Sequence, residues 1–225
     1  GGGLQLGAFL KVDAGYHRAG VDVHASPAYA VELARKMEGS PALRFLGIYS
    51  HSGDAYNARD RASAAAICEA ECETMGALAA SLSAHGISCP VVSVGSTPSC
   101  ACATAFKGAT EIHPGNYTFY DRQQVACSAC AEEDVAVTVL SRVIGEYEQH
   151  LLCDAGSLAV SKDSTPQDQW FGSVKGQPDL ILSAVSQECG KLSLAPSAVA
   201  VPGKRARPEE GRVPVGSLVC IVPNH

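Results

Sequence analysis

The feature that most constrains this fold is the regular alternation of strand-like and helical segments in the first half of the chain. Three short apolar runs predict buried strands: Leu6–Val12, Leu43–Ser50 and Val91–Val94. Apolar residues at helical spacing follow Ser26-Pro27 and recur in an alanine-rich segment from about Asn57 to His85. Strands that alternate with helices over short connections pair in parallel, so we expect an α/β sheet with right-handed crossovers.

This pattern changes near residue 120. Short strand-like runs then follow one another between Gly, Pro, Asp and Ser residues: Val135–Val139, Leu151–Cys153, Leu158–Val160, Leu180–Val185 and Leu218–Val222. Two polar stretches rich in proline and glycine, Ser164–Pro178 and Ala195–Pro214, are expected to be mobile surface loops. The sequence therefore predicts an α/β domain over residues 1–120 and a mainly β domain over residues 121–225.

Charge and hydropathy exclude several classes of partner. The chain has 17 Lys and Arg residues and 23 Asp and Glu residues, which gives a net charge of -6. Nucleic acid is therefore not an expected partner. No apolar run approaches the ~20 residues that cross a bilayer, and the first residues lack the features of a secretory signal. We expect a cytoplasmic or organellar protein that is neither secreted nor bound to a membrane.

The 10 cysteines are too few for a disulfide scaffold and predict mostly reduced thiols. Two pairs have spacings found in zinc sites, Cys100-x-Cys102 and Cys127-x-x-Cys130, but neither has a companion pair at a suitable distance. Thiols that pack as small apolar groups are the favoured interpretation. A redox or zinc protein built on Cys127 and Cys130 stays open as an alternative.

Polar residues follow the predicted strands, where parallel α/β folds bind their ligands. Arg18 lies between two glycines, and His51 follows the second strand, where an imidazole that titrates near neutrality is suited to proton transfer. Two further loops combine glycine with neutral donors, which suits a phosphate dianion: Gly95, Ser96 and Thr97, and Gly115, Asn116 and Tyr117. Taken singly, each is better explained without a ligand: Arg18 as an ion-paired surface group, His51 as a hydrogen-bonded structural histidine and each loop as an ordinary turn.

Six motifs occur in order over nearly the whole chain: KVDAGYHRAGV, GIYSHSGDAY, VSVGSTPS, EIHPGNYTFYD, DAGSLAVSKD and the terminal VPNH. Their combination resembles the D-threonine aldolase and eukaryotic-type D-serine dehydratase family, which is related to alanine racemase. The resemblance implies fold-type III pyridoxal-phosphate enzymes, in which a (β/α)8 barrel is followed by a β domain. We therefore expect part of that barrel, followed by a mainly β C-terminal domain.

The resemblance also implies roles for individual residues. Arg18 would contact the phenolic side of the pyridoxal ring, and His51 would stand near the substrate β-hydroxyl. His225 would be one ligand of a divalent metal (Mn, Mg or Zn). The pyridoxal 5'-phosphate group would be held by six loop residues: Gly95, Ser96, Thr97, Gly115, Asn116 and Tyr117.

The implied activity is that of a lyase, which cleaves D-threonine and related D-β-hydroxy-α-amino acids to glycine and an aldehyde. The metal and His51 would assist loss of the β-hydroxyl proton before the Cα–Cβ bond breaks. Dehydration of D-serine and a non-catalytic, pyridoxal-phosphate-binding fragment are the alternatives. Related barrels pair as dimers, so a homodimer is expected.

Three departures from the family pattern stand out. The lysine that binds the cofactor in the family has no match here, since Lys11 corresponds to another family position. The family metal motif continues beyond the histidine at which this sequence ends, His225, and Cys189 stands where relatives have a histidine. We expect the chain to be a fragment of a longer enzyme that by itself exposes unpaired parallel strands and folds poorly.

Overall fold

A computed structural model describes residues 4–165, 167–199 and 213–225. The chain divides into two compact units, one formed by residues 1–117 with 127–129 and the other by residues 118–126 with 130–225. Residues 200–212 of the predicted loop Ala195–Pro214 lie outside the described residues. The α/β and mainly β classes expected for the two halves are confirmed.

The first unit is built on a parallel sheet whose described strands run in the spatial order β2-β1-β3-β4-β5. These are β1 Leu6–Asp13, β2 Val21–Asp22, β3 Leu43–Tyr49, β4 Val91–Val94 and β5 Glu111–Ile112. The register pairs Lys11 with Tyr49 and Tyr49 with Ser93, so the carboxyl ends of β1, β3 and β4 meet at one edge. The polar residues singled out in the sequence follow the strands at this edge.

The same unit contains three described α-helices that follow strands of this sheet in the chain: α1 Pro27–Glu38, α2 Arg61–Ala84 and α3 Thr97–Cys102. Helix α2 begins later than the sequence predicted because Asp60 caps it: Asp60 Oδ1 accepts a hydrogen bond from the Ser63 N–H over 2.8 Å. The preceding residues Gly53–Asn57 form a separate turn of 3-10 helix. Helix α2 buries Met75 in the cluster that contains Ile48 of β3.

The second unit is centred on a closed barrel in which the described strands pair antiparallel in the order β10-β7-β6-β11-β8-β9. They are β6 Val139–Glu146, β7 Leu151–Cys153, β8 Gly172–Val174, β9 Gln177–Val185, β10 Gly190–Leu194 and β11 Leu218–Pro223. The described part of this unit also contains three short α-helices: α4 Arg122–Ala126, α5 Ser157–Val160 and α6 Pro196–Val199. Alternate residues of the strands fill the barrel, among them Leu182, Leu192 and Ile221, each fully buried.

Two of the predicted strands are wrong in whole or part. Leu158–Val160 is the short helix α5, whose Ala159 and Val160 N–H groups both bond to the carbonyl of Gly156. The predicted strand Val135–Val139 contributes only Val139 to β6. A helical turn bends the chain before it, because Asp134 Oδ2 accepts a hydrogen bond from the Ala131 N–H over 2.9 Å. Runs of three to five residues are too short to separate strand from helix by periodicity.

The predicted surface loop Ser164–Pro178 is also wrong in part. Its residues Gly172–Val174 form β8, which pairs with β11 on one side and β9 on the other. The turn to β9 contains Gly176 at φ +76°, a conformation that favours glycine. Among the described residues, no helix is both long enough and apolar enough to cross a bilayer.

Candidate active site

The loop after β1 is organised by Asp13. Its Oδ1 accepts hydrogen bonds from the backbone N–H groups of Gly15 (3.0 Å) and His17 (2.9 Å). Burial by itself would raise the pKa of Asp13, but these hydrogen bonds outweigh it and hold the pKa below its ordinary value. In the same loop, the Arg18 guanidinium lies 5.5 Å from the centre of the Tyr16 ring. The carboxylate therefore fixes the loop that carries Arg18.

His51 follows β3 at the same edge of the sheet. Its ring centre lies 6.0 Å from that of Tyr16, in an edge-to-face arrangement. Burial lowers the pKa of His51 to about 4, and the positive charges of Arg18 and Lys11 act in the same direction. His51 is consequently a neutral imidazole near pH 7, able to accept a proton.

A second histidine, His113, completes this cluster and was not singled out from the sequence. Its ring stacks on Tyr49 with 4.3 Å between centres and lies 6.4 Å from the His51 ring. Its Nδ1 is 2.8 Å from Ser93 Oγ, and Ser93 Oγ is in turn 2.6 Å from Glu111 Oε1. The Nε2 atom is buried and has no hydrogen-bond partner among the described residues. A buried ring nitrogen in this state calls for a polar partner, which water or a ligand would supply.

Lys11 also belongs to this edge. Its Nζ lies 4.0 Å from the centre of the Tyr49 ring, on the ring face, as in a cation–π contact. Burial lowers the pKa of Lys11, with a further contribution from the charge of Arg18. Two cations therefore face the aromatic groups of the site, a local excess of positive charge in a chain whose net charge is negative.

The two glycine-containing loops are joined directly. The backbone N–H of Asn116 donates a hydrogen bond to Thr97 Oγ1 over 2.8 Å, and Thr97 is almost fully buried. Gly95 has φ +117°, and a Cβ at this position would overlap Cys100 Sγ, so the turn requires glycine. Tyr117 exposes more than half of its side chain. The structure thus unites the backbone of the two loops and leaves the Tyr117 ring at the surface.

Beneath these loops lies a buried carboxyl group that sequence analysis missed. Glu71 of α2 is 3% exposed, and its Oε1 accepts a hydrogen bond from Ser50 Oγ over 2.5 Å. Burial raises the pKa of Glu71, while the hydrogen bond from Ser50 opposes that shift. Glu71 lines a cavity of about 260 Å³ together with Tyr16, His51 and Asp54. The signal in the sequence was an acidic residue on the apolar stripe of α2, between Cys68 and Met75.

His225 belongs to the second unit. Its Nδ1 lies 2.7 Å from Asp121 Oδ2, and this hydrogen bond raises the pKa of His225. An imidazole held at Nδ1 by a carboxylate presents Nε2 as a metal ligand, an arrangement common in metal sites. In the described part of the chain, no group of three or more His, Cys, Asp or Glu side chains is arranged to hold a metal ion.

Two stretches of the chain match known protein families. Residues 2–123 match the family model described as "Alanine racemase, N-terminal domain", and residues 136–225 match the one described as "Putative serine dehydratase domain". The chain is 35% identical over 231 residues to a D-serine dehydratase of Dictyostelium discoideum, an alignment that covers 96% of this chain and 56% of that protein. The chain therefore spans little more than half the length of this relative.

Solved structures agree with these matches. A D-threo-3-hydroxyaspartate dehydratase from Delftia sp. HT23 superposes with a TM-score of 0.84 at 32% identity, covering 97% of this chain and 59% of that one. A D-threonine aldolase from Filomicrobium marinum shares the fold, with a TM-score of 0.75 at 23% identity, covering 98% of this chain and 56% of that one.

Proposed function

The chain belongs to the alanine racemase N-terminal domain family, and from this membership we propose that it forms the cofactor-binding part of a pyridoxal-phosphate-dependent lyase that acts on D-β-hydroxy-α-amino acids. The observation that carries the proposal is the hydrogen bond from the Asn116 N–H to Thr97 Oγ1. It unites the two predicted phosphate loops at the edge of the sheet that also bears Arg18, His51 and His113.

The residues at this edge fit the cofactor. The orphaned Nε2 of His113 offers a partner to a polar atom of a ring, and Arg18 supplies a permanent positive charge for the phenolic oxygen. The joined loops supply the phosphate site, through glycine backbone and neutral side chains: Gly95, Ser96, Thr97, Gly115, Asn116 and Tyr117. Bound pyridoxal phosphate would supply an electron sink for the carbanion formed at the substrate Cα.

The chain's own residues orient the substrate and move its protons. Because its pKa is about 4, His51 is a neutral base near pH 7 and can hydrogen-bond the substrate β-hydroxyl as acceptor. Burial, together with the positive charges of Arg18 and Lys11, keeps the pKa of His51 low and the ring neutral, and the two charges also favour an anionic substrate at this edge. Tyr16 contacts the His51 ring edge to face, and Tyr49 stacks on the His113 ring, so that both imidazoles are held by aromatic neighbours.

A divalent metal fits the chemistry of His225, whose Nδ1 is held by Asp121. One solved structure of a D-threo-3-hydroxyaspartate dehydratase, a C353A mutant, is described as a metal-free form. By its Lewis acidity, such an ion would weaken the bond between the β-carbon and its hydroxyl or acidify that hydroxyl. Mn, Mg and Zn all remain candidates.

Dehydration is the reaction that the relatives favour. Those above 30% identity are named D-serine dehydratase and D-threo-3-hydroxyaspartate dehydratase, and the match over residues 136–225 is to a serine dehydratase domain. Retro-aldol cleavage is the second candidate, because a neutral His51 is the base which that reaction needs at the β-hydroxyl. A 3-hydroxy-D-aspartate aldolase of Paracoccus denitrificans is 29% identical over 175 residues.

A product assay separates these reactions. The purified protein, supplied with pyridoxal phosphate and Mn²⁺ or Zn²⁺, would be incubated with D-serine, D-threo-3-hydroxyaspartate and D-threonine, and with L-serine as the control. Formation of a 2-oxo acid and ammonia from a D-substrate, but not from L-serine, supports dehydration. Formation of glycine and acetaldehyde from D-threonine supports the aldolase reaction. Cofactor binding without turnover would leave the non-catalytic alternative, and failure to bind the cofactor would refute the proposal.

A further inference from the structure

We propose that Glu71 is a positioning residue for His51, which it holds in place through a buried hydrogen bond to Ser50. This inference deepens the proposed function and rests on it, since it assigns a supporting residue to the same site. Glu71 lies on α2, whereas His51 lies in the loop after β3. The two are separated by 20 positions in the sequence but line the same cavity.

The serines on either side of His51 are anchored in different directions. Ser50 is fully buried, its N–H donates to the Ser93 carbonyl over 3.1 Å, and its hydroxyl donates to Glu71 Oε1 over 2.5 Å. Ser52 is 4% exposed, and its hydroxyl lies 2.9 Å from Ser99 Oγ. His51 is therefore held from one side by α2 and from the other by the first turn of α3.

The second anchor connects this loop to the predicted phosphate loop. Ser99 Oγ accepts a hydrogen bond from the Ser96 N–H over 2.8 Å and lies 3.0 Å from Ser96 Oγ. Glu71, Ser50, Ser52, Ser99 and Ser96 thus form two short sets of hydrogen bonds that flank His51. Every member of these sets is buried. Water therefore does not compete for the hydrogen bonds.

Glu71 is an acidic residue among apolar neighbours on the buried stripe of α2. These neighbours are Cys68, Cys72 and Met75, which pack in the apolar core. An apolar side chain would fill this position without the desolvation penalty of a carboxyl group. What the carboxyl adds is polar contact with the residues around His51: the hydrogen bond from Ser50, with further interactions with Ser52 and the Gly95 backbone.

The position of the His51 ring matters because its neutral state depends on its surroundings. The groups that face the ring are Arg18 and Lys11 from β1 and its loop, and His113 from the loop after β5. Asp54 and Glu71 line the cavity beside it. Release of the Ser50 anchor would let the ring move toward water, where an imidazole regains its ordinary pKa.

Three variants test this inference: the His51 titration is followed without the cofactor, and the kinetics are measured with the cofactor bound. Glu71→Leu removes the acceptor, Ser50→Ala removes the donor of the same hydrogen bond with a smaller disturbance, and Glu71→Gln keeps a carbonyl oxygen as acceptor. Met75→Ala, on the same buried stripe of α2, is the control for general loss of stability. The His51 pKa is followed by NMR titration of its ring protons, and kcat and KM are measured near pH 6.

We expect Glu71→Leu and Ser50→Ala to raise the His51 pKa from about 4 toward 6.5 and to lower kcat at least about tenfold, with KM changed less than about twofold. Glu71→Gln should restore most of the wild-type titration, and Met75→Ala should leave the titration unchanged. The inference is overturned if Glu71→Leu and Ser50→Ala leave the His51 titration unchanged, or if Glu71→Gln behaves like Glu71→Leu.

The NMR titration requires no turnover, so the two proposals fail in different ways. A wild-type protein that fails to bind pyridoxal phosphate, in which these variants still shift the His51 titration, would refute the proposed function and support the positioning role of Glu71. An active wild-type protein whose His51 titration ignores both variants would refute the positioning role alone.

Discussion

The backbone N–H of Asn116 donates a hydrogen bond to Thr97 Oγ1 over 2.8 Å, and this single contact links two loops that lie about twenty residues apart in the sequence. Thr97 opens α3, and Asn116 follows β5. Their union means that a group bound by one loop is also within reach of the other.

Replacement of Thr97 should weaken binding of pyridoxal phosphate. Thr97→Val keeps the shape of the side chain but removes the acceptor for the Asn116 N–H, a loss of about 1 kcal/mol in the free energy that joins the loops, so the affinity for the cofactor should fall by up to about fivefold. Thr97→Ser keeps the hydroxyl and should bind nearly as well as the wild type. Fluorescence titration with pyridoxal phosphate measures both variants, and equal affinities for the two would disprove the role of this hydrogen bond.

The lowered pKa of His51 should appear in the pH dependence of stability. The folded protein binds a proton at His51 only near pH 4, whereas the unfolded chain binds it near pH 6.5, so the unfolded state takes up the proton first as pH falls. The contribution is fully present above the unfolded pKa and is lost as pH falls toward 4. Urea unfolding of the wild type should therefore lose more stability between about pH 7 and about pH 5 than unfolding of His51→Asn.

Burial also lowers the pKa of His113, so this residue contributes to the same pH dependence of stability. The free energy of unfolding of the His51→Asn variant should therefore still change with pH. In a double variant that also carries His113→Asn, the free energy of unfolding should depend even less on pH. Identical slopes in the wild type and both variants would show that neither imidazole is held neutral by the fold.

Gly47 tests the pairing of β3 with β4. A Cβ at this position would overlap the backbone carbonyl oxygen of Val91, and the residue has φ +144°, so Gly47→Ala should cost more than about 3 kcal/mol. Gly76, in the middle of α2, has open space around it, and Gly76→Ala should stabilise the protein by up to about 1 kcal/mol. Chemical denaturation of both variants gives the comparison, and a mild effect at Gly47 would contradict the strand register.

Asp121 should control metal affinity through His225. Asp121→Asn removes the carboxylate that holds His225 Nδ1 and should weaken binding of Mn²⁺ or Zn²⁺ by about 10–100-fold. Asp154→Asn is a matched change in the same unit, at a carboxylate that caps the Arg142 N–H instead. Isothermal titration with each metal should distinguish the two variants; similar metal affinities for both would remove Asp121 from the metal site.

Local signals in the sequence predicted the long elements well and the short ones poorly. Helix α1 has a proline in its first turn and Gly39 after its last, and the run at β4 is bounded as predicted. The short helix α5 and strand β8 depend on contacts distant in sequence, such as the pairing of β8 with β11, which no local pattern encodes.

The candidate site shows the same division. Motifs marked His51 and the loops of Thr97 and Asn116 because their residue types are unusual after strands. His113 and Glu71 were missed because their significance comes from burial and partners: stacking on Tyr49 for the first and a bond to Ser50 for the second. Such features arise only when separate strands and helices come together.

The convergence of the two glycine loops on one phosphate group is tested most directly by amide chemical-shift mapping with pyridoxal phosphate. As the cofactor is added, we expect the largest shifts at the backbone amides of Gly95, Thr97, Gly115 and Tyr117, with smaller ones around Arg18 and His51. Unchanged amides in both glycine loops, or shifts concentrated elsewhere in the chain, would contradict this proposal.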